Sequence, residues 1–263
     1  MSEKLQQTSV RTRLGAVHVT RAGAGAPLML LHGNGHSWRE FEATFEALAN
    51  SFDVIAWDMP GQGKSDDVSA DTSIADYAGA FADVVSALDL KWPAILGSSV
   101  GAFIAAEYAL THDNVSALIL DEMQFRGPEF WSAAWPVVEK MFGNTNQAGE
   151  QVQARFTRAL DAEFIAHWNA SLQCVGAERL IGVMRTLAAF DVRANLPRIT
   201  QPTLLLFGAN GPTVEMASAM HAAMPNADLR VIENAGHFIS IDQPAQFADA
   251  VTAFVRASPQ RRA

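Results

Sequence analysis

The chain carries a single cysteine, Cys174, so a scaffold stapled by internal disulfides is excluded. Cys174 sits in a helical-looking stretch with no nucleophile turn around it and reads as a buried or incidental thiol. Basic residues are also scarce: 19 Lys and Arg stand against 28 Asp and Glu, a formal net charge of −9. Binding a phosphate backbone rewards clustered cations, so nucleic acid is not an expected partner. The Arg261-Arg262 tail reads as a solvated terminus. Long apolar runs are missing too. Met1 to Val10 is polar with no signal-peptide core, and no segment is long enough to span a bilayer. These absences imply a soluble, cytoplasmic protein with no membrane partner, and nothing in the pattern sets an oligomeric state. Repeats and low-complexity tracts are absent as well. What the chain has in quantity is hydrophobic residues, 49% of the total, enough for a sizeable core.

From about residue 27 onward, strand-like and helical runs alternate, the βαβ pattern of a mainly parallel sheet. Pro27 to Leu31 is a continuous apolar run, consistent with a strand buried on both faces. Trp38 to Ala49 has helical spacing, Val54 to Trp57 is strand-like, and Ile74 to Leu88 is helical. A strand over Ala94 to Leu96, a helix over Val100 to Leu110 and a strand over Ala117 to Leu120 follow. Between about Phe125 and Asn195 the pattern is helical with no convincing strand. Alternation resumes with a strand at Thr203 to Phe207, a helix near Val214 to Met224, a strand at Leu229 to Ile232 and a helix from Pro244 to Val255. Residues 1–124 and 196–263 are therefore expected to form one α/β core domain, with 125–195 a helical insertion.

One short segment carries chemistry. Gly97-Ser98-Ser99-Val100-Gly101 matches G-x-S-x-G. A strand ends before it and a helix begins after it, so Ser99 falls on a tight strand-to-helix turn. Small neighbours suit such a turn, because its backbone is strained and adjacent chains come close. The hydroxyl would stand near the positive end of the following helix, where negative charge is stabilised.

Here the sequence resembles the α/β-hydrolase family, and further segments carry the resemblance over nearly the whole chain. His32-Gly33-Asn34-Gly35 follows a buried strand as the family's oxyanion loop does. Asp58-Met59-Pro60-Gly61-Gln62-Gly63-Lys64-Ser65 matches D-x-x-G-x-G-x-S, and Asn234-Ala235-Gly236-His237-Phe238 resembles the catalytic-histidine loop. The resemblance implies a mainly parallel eight-stranded sheet with helices on both faces and a helical cap. It implies Ser99 as nucleophile, activated by His237 as general base. The backbone N–H groups of Asn34 and Val100 would form the oxyanion hole. Neither a metal nor a cofactor is implied, and the expected partner is a small-molecule substrate. The other histidines (His18, His32, His36, His112, His167 and His221) lack the placement of His237; the His32 equivalent usually shapes the loop.

The third member of the triad is where the sequence departs from the family. The acid normally follows the strand spelled here Thr203 to Gly208, yet that position holds Gly211, just before Pro212. Glycine can neither orient an imidazole nor stabilise an imidazolium. Asp121 and Glu122 close the Ala117–Leu120 strand, from which some family members supply their acid, and Glu122 matches that position better. Glu215 is a further candidate, although acids are common in first helical turns for dipole reasons. Asp242, five residues past His237, reads as structural. The remaining alternative is no acid at all, with crippled activity.

The insertion holds Trp131, Trp135, Trp168, Phe130, Phe142, Phe156 and Phe164. Most such rings pack the insertion's own small core, while Trp131, Trp135 and Phe125, nearest the sheet edge, are expected to line a substrate pocket. A small, largely apolar carboxylic ester is the leading substrate class. Within the family the same machinery serves lactone, amide and carbon–carbon bond hydrolysis. Haloalkane dehalogenation is disfavoured, because it needs a carboxylate where Ser99 stands. The missing acid also leaves open a ligand-binding member with weak or no catalysis.

Overall fold

The computed structural model describes residues 5–259, so Arg261 and Arg262 lie outside the described residues. Eight strands form one sheet in the order β1-β2-β4-β3-β5-β6-β7-β8. They are β1 (Gln6–Thr12), β2 (Gly15–Ala22), β3 (Pro27–Leu31), β4 (Asp53–Trp57), β5 (Ala94–Ser98), β6 (Ala117–Asp121), β7 (Thr203–Gly208) and β8 (Ala227–Ile232). Only β2 runs against the others among the described residues, pairing antiparallel with β1 and β4. The rest pair in parallel. The sheet is thus the mainly parallel, eight-stranded one that the resemblance implied. Local pattern alone placed strands only from residue 27 onward. β1 escapes such reading because all but two of its residues are exposed, leaving no clear alternation.

Apolar side chains leave successive residues of the central strands toward opposite faces. Met29, Leu31, Ile95, Leu118, Leu120, Leu205 and Phe207 enter one core layer, packed by α2 (Ile74–Ala87) and α3 (Val100–Thr111). Leu28, Leu30, Leu96, Ile119, Leu204 and Leu206 enter the other, packed by α1 (Glu42–Ala49) and, further along the chain, the C-terminal helix Pro244–Ala257. Both faces being covered explains why these strands read as unbroken apolar runs rather than alternating ones.

Between β6 and β7 the chain forms α4 (Pro128–Gly143), α5 (Gly149–Gln153), α6 (Ala162–Val175), α7 (Ala177–Ala189) and α8 (Val192–Asn195). Val152, Phe156, Trp168, Leu172, Val175 and Leu180 build a small core there, joined by Phe238. Within it Phe156 meets Phe164 and Trp168 edge to face, while Phe164 and Trp168 stack. α4 contributes little burial: of its sixteen residues only Trp131 and Val138 are buried. Cys174, expected to be a buried or incidental thiol, is exposed on α6, so the buried alternative falls. Two expected single helices are each split, with a 3₁₀ turn preceding the α segment at Trp38–Phe41 and at Val214–Met216.

Candidate active site

β3, β5, β6, β7 and β8 all point their C-terminal ends at one region, and β3 is where the strand order reverses direction, pairing with β4 on one side and β5 on the other. Crevices at such ends are the usual ligand sites of open α/β sheets. Three of the five non-glycine residues with positive φ among the described residues gather there: Ser99 (52°), Glu122 (51°) and Asn234 (56°). Backbone conformations of this kind cost free energy and concentrate at functional sites.

Ser99 is the turn residue between β5 and α3. A Cβ on Gly97 would strike the backbone of Gly101, and one on Gly101 would strike the carbonyl of Leu31. The flanking glycines are therefore a packing requirement. Ser99 N–H donates to the Asp121 carbonyl (2.9 Å), which fixes the turn against the end of β6.

His237 follows β8. Its loop is held from behind by the Asp242 carboxylate, which accepts from the Gly236, Thr157 and Arg158 N–H groups at 2.7, 3.0 and 3.2 Å. Asp242 is thus structural in placement. His237 Nδ1 lies 3.1 Å from Glu122 Oε2. Glu122 is fully buried, and its carboxylate also accepts from Gly208 N–H (2.6 Å) and from the Thr213 hydroxyl. With Oε2 accepting, the proton of a neutral imidazole sits on Nδ1 and leaves Nε2 as the basic nitrogen.

Gly211 is explained by the same arrangement. A Cβ there would lie 2.7 and 2.8 Å from the two oxygens of Glu122. The Glu122 carboxylate occupies the space that a side chain at 211 would enter. The other candidate acids are placed elsewhere. Glu215 is largely exposed and paired with Arg126 at 2.7 Å. Asp121 is buried, and by strand alternation it faces the layer opposite to Leu120; burial, then the nearby charges of Glu122 and Glu40, push its carboxyl well above the usual range.

The loop after β3, which carries Gly33 and Asn34, is fixed from several sides. His32 Nδ1–H donates to the Gly33 carbonyl (2.7 Å), while its Nε2 accepts from Met59 N–H (2.8 Å). These partners define a neutral tautomer, and burial lowers the ring's pKa in the same sense. Because a trans peptide points its N–H opposite to its C=O, anchoring the Gly33 carbonyl also aims the Asn34 N–H. Gln62 Oε1 accepts from the Gly35 and His36 N–H groups, and its Nε2 donates to Asn34 Oδ1. Neither the Asn34 nor the Val100 backbone N–H is engaged by a protein acceptor among the described residues. Asp58 supports the loop from below, accepting from Trp38 N–H, Lys64 N–H and the His18 ring.

Ser99, His237, Gly33 and Asn34 share the wall of one cavity of about 790 Å³, roofed by residues of α4 to α7. Trp131 lines it as expected, but Phe125 and Trp135 do not. Both are partly buried against the main core instead, and Trp135 also lies under the Arg185 guanidinium. Proximity to the sheet edge in sequence did not decide which way the rings turn. Phe130, Phe142, Trp168 and Phe238 supply the aromatic wall. Thr213, Gln62, His36 and Arg155 also belong to the site or its support and were not singled out from sequence: Gln62 stands at a variable position of its motif, His36 lacks the placement of His237, and Thr213 and Arg155 carry no motif.

Residues 26–244 match the family described as alpha/beta hydrolase fold. The chain is 29% identical over 250 residues to a putative carbamate hydrolase, RutD, of Pseudomonas savastanoi pv. phaseolicola, covering 89% of this chain and 95% of that one. It is 29% identical over 255 residues to a pimeloyl-[acyl-carrier protein] methyl ester esterase of Photobacterium profundum, covering 89% and 96%. Among solved structures, an esterase from Exiguobacterium antarcticum superposes with a TM-score of 0.86 at 24% identity, over 96% of this chain and all of that one.

Proposed function

As the chain belongs to the alpha/beta hydrolase family and is an enzyme of that kind, we propose that it cleaves small, largely apolar carboxylic esters through an acyl-enzyme on Ser99. The observation that carries this reading is the 3.1 Å contact of His237 Nδ1 with buried Glu122, in the loop whose histidine shares a cavity with Ser99.

Ser99 Oγ attacks the ester carbonyl while His237 Nε2 takes its proton. Glu122 holds the ring in the productive tautomer and stabilises the imidazolium. The tetrahedral oxyanion is received by the Asn34 and Val100 N–H groups, aided by the N-terminus of α3. Collapse expels the alcohol, which takes the proton from His237. Water then attacks the acyl-enzyme by the same path, giving the acid and free Ser99. The helices of residues 125–195 act as the cap that shields this chemistry. Relatives named for a carbamate and a methyl ester support acyl transfer of this kind.

The test is a fluorophosphonate probe, which reacts with activated serines. Wild-type protein should label and Ser99→Ala should not. Absence of labelling in folded wild-type protein would remove the acyl-enzyme.

A further inference from the structure

The cavity wall has a charge pattern that opposes the rest of the chain. The protein carries a net charge of −9, yet no Asp or Glu lines the cavity among the described residues. Three cations do: Arg126, Lys140 and Arg155. They are not equivalent. Arg126 is already neutralised by Glu215 and lies over the Phe130 ring at 3.8 Å. Lys140 is exposed. Arg155 is half-buried, and no carboxylate pairs with it among the described residues. Its Nη1 donates to the neutral Gln147 Oε1 at 2.6 Å, and the guanidinium sits over the Trp168 ring at 5.3 Å. Trp168 Nε1 donates to the same Gln147 oxygen, so the guanidinium is held in place by a neutral, aromatic frame.

A desolvated guanidinium with a neutral partner is costly unless something anionic arrives. Burial lowers the pKa of Arg155, which reflects that cost, and its charge reaches His36 in the same wall. Arg155 is also tied to the reaction centre through the main chain, since its carbonyl accepts from His237 N–H at 3.0 Å. The guanidinium's remaining donors form a planar fork suited to a carboxylate.

We propose that Arg155 binds a carboxylate on the acyl substrate, so that the enzyme's substrates are half-esters: one end a scissile ester at Ser99, the other an anion, joined by an apolar chain. The proposal rests on the hydrolase reading and narrows its substrate class. It refines the expectation of a largely apolar ligand in one respect only, because Phe130, Trp131, Val138 and Met184 still provide the wall for the chain between the ends.

The experiment compares monomethyl esters of straight-chain dicarboxylic acids, succinate through suberate, with their dimethyl diesters on wild-type enzyme. A charge-assisted pair predicts that the best half-ester exceeds its diester in kcat/KM by about tenfold or more. In Arg155→Gln that ratio collapses toward one, chiefly through a rise in KM for the half-ester, and Arg155→Lys recovers part of it. Diesters cleaved as well as or better than half-esters by the wild type would overturn the proposal while leaving the hydrolase reading intact. Calorimetric titration with free adipate separates the two claims. If no ester is cleaved but adipate binds and Arg155→Gln abolishes binding, the anion site stands and the hydrolase reading falls. Neither cleavage nor binding would overturn both.

Discussion

The floor and the roof of the cavity are built on different physical terms. The floor is the set of strand ends, where the groups around Ser99 and His237 are held by hydrogen bonds: Glu122 accepts three, Gln62 spans the loop over residues 34–36, and His32 is locked in one tautomer. The roof is helical and largely apolar, and it touches the floor at a few points. Asn34 Nδ2 donates to the Leu180 carbonyl and Ser171 Oγ to that of Gly35, at 2.9 and 2.7 Å. α4 leaves apolar surface open, with Phe130, Val137 and Met141 exposed while also lining the cavity. The difference teaches a division of labour. Under the proposed function, the groups that handle charge sit in turns fixed at the ends of paired strands, whereas the apolar wall that would meet the substrate sits on helices.

The sharpest way to break this comparison is at the floor. Under the proposed mechanism, Ser99→Ala is expected to lower kcat by about 10⁶-fold, as loss of the nucleophile does in a serine protease triad. Glu122→Gln keeps the shape but offers no anion to His237, and turnover should fall by about 10⁴-fold with the melting temperature little changed; near-wild-type rates would take Glu122 out of the triad. Gly211→Asp tests whether position 211 can supply the acid in place of Glu122. Alone, it forces a second carboxylate against Glu122 and should reduce both stability and kcat by at least about tenfold. In a Glu122→Ala background the same substitution should raise kcat above that of Glu122→Ala. No recovery would mean that position 211 cannot orient His237 in this chain.

At the roof the effects should be smaller and of another kind. Trp131→Ala enlarges the cavity and should raise KM for short acyl chains several-fold while leaving kcat within about threefold. A large fall in kcat at saturating substrate would place Trp131 on the floor's side of the divide.

The smallest expected effect concerns stability. Glu40 is buried beneath the loop after β3, accepts from Gly33 N–H at 2.9 Å, and is pushed up to about 7 by burial. Between the ordinary carboxylate range and about 7 the folded state retains a proton that the unfolded state has lost. Stability therefore falls as pH rises through that window and levels off above it. Glu40→Gln removes the titration and keeps an acceptor for Gly33. Its melting temperature relative to wild type should gain a few degrees between pH 5 and pH 8. An unchanged difference across that range would remove Glu40 as the titrating group.

Much of the floor was legible because it is written in local pattern. G-x-S-x-G between a strand and a helix locates Ser99, and a Gly-led turn after the last strand locates His237. Long-range placement was less legible. Glu122 was one of several acids because nothing local says that its side chain crosses to β7; the β6–β7 pairing and the Glu122 N–H bond to the Leu206 carbonyl bring it there. Thr213 was missed because a lone hydroxyl has no signature until its acceptor is known. Phe125 and Trp135 were expected in the cavity wall and lie outside it, since ring direction depends on how α4 and α7 pack against the core.

By itself, then, the sequence determined the layered α/β architecture, the strained turn carrying Ser99 and the loop carrying His237, because periodicity and steric demands act over a few residues. Only the tertiary structure decided that the Glu122 carboxylate fills the space opposite Gly211 and that Arg155 stands in the cavity without a carboxylate partner among the described residues. Those are meetings of side chains from distant elements, and their distances and partners exist only once the sheet has closed its order and the helices have settled over its edge.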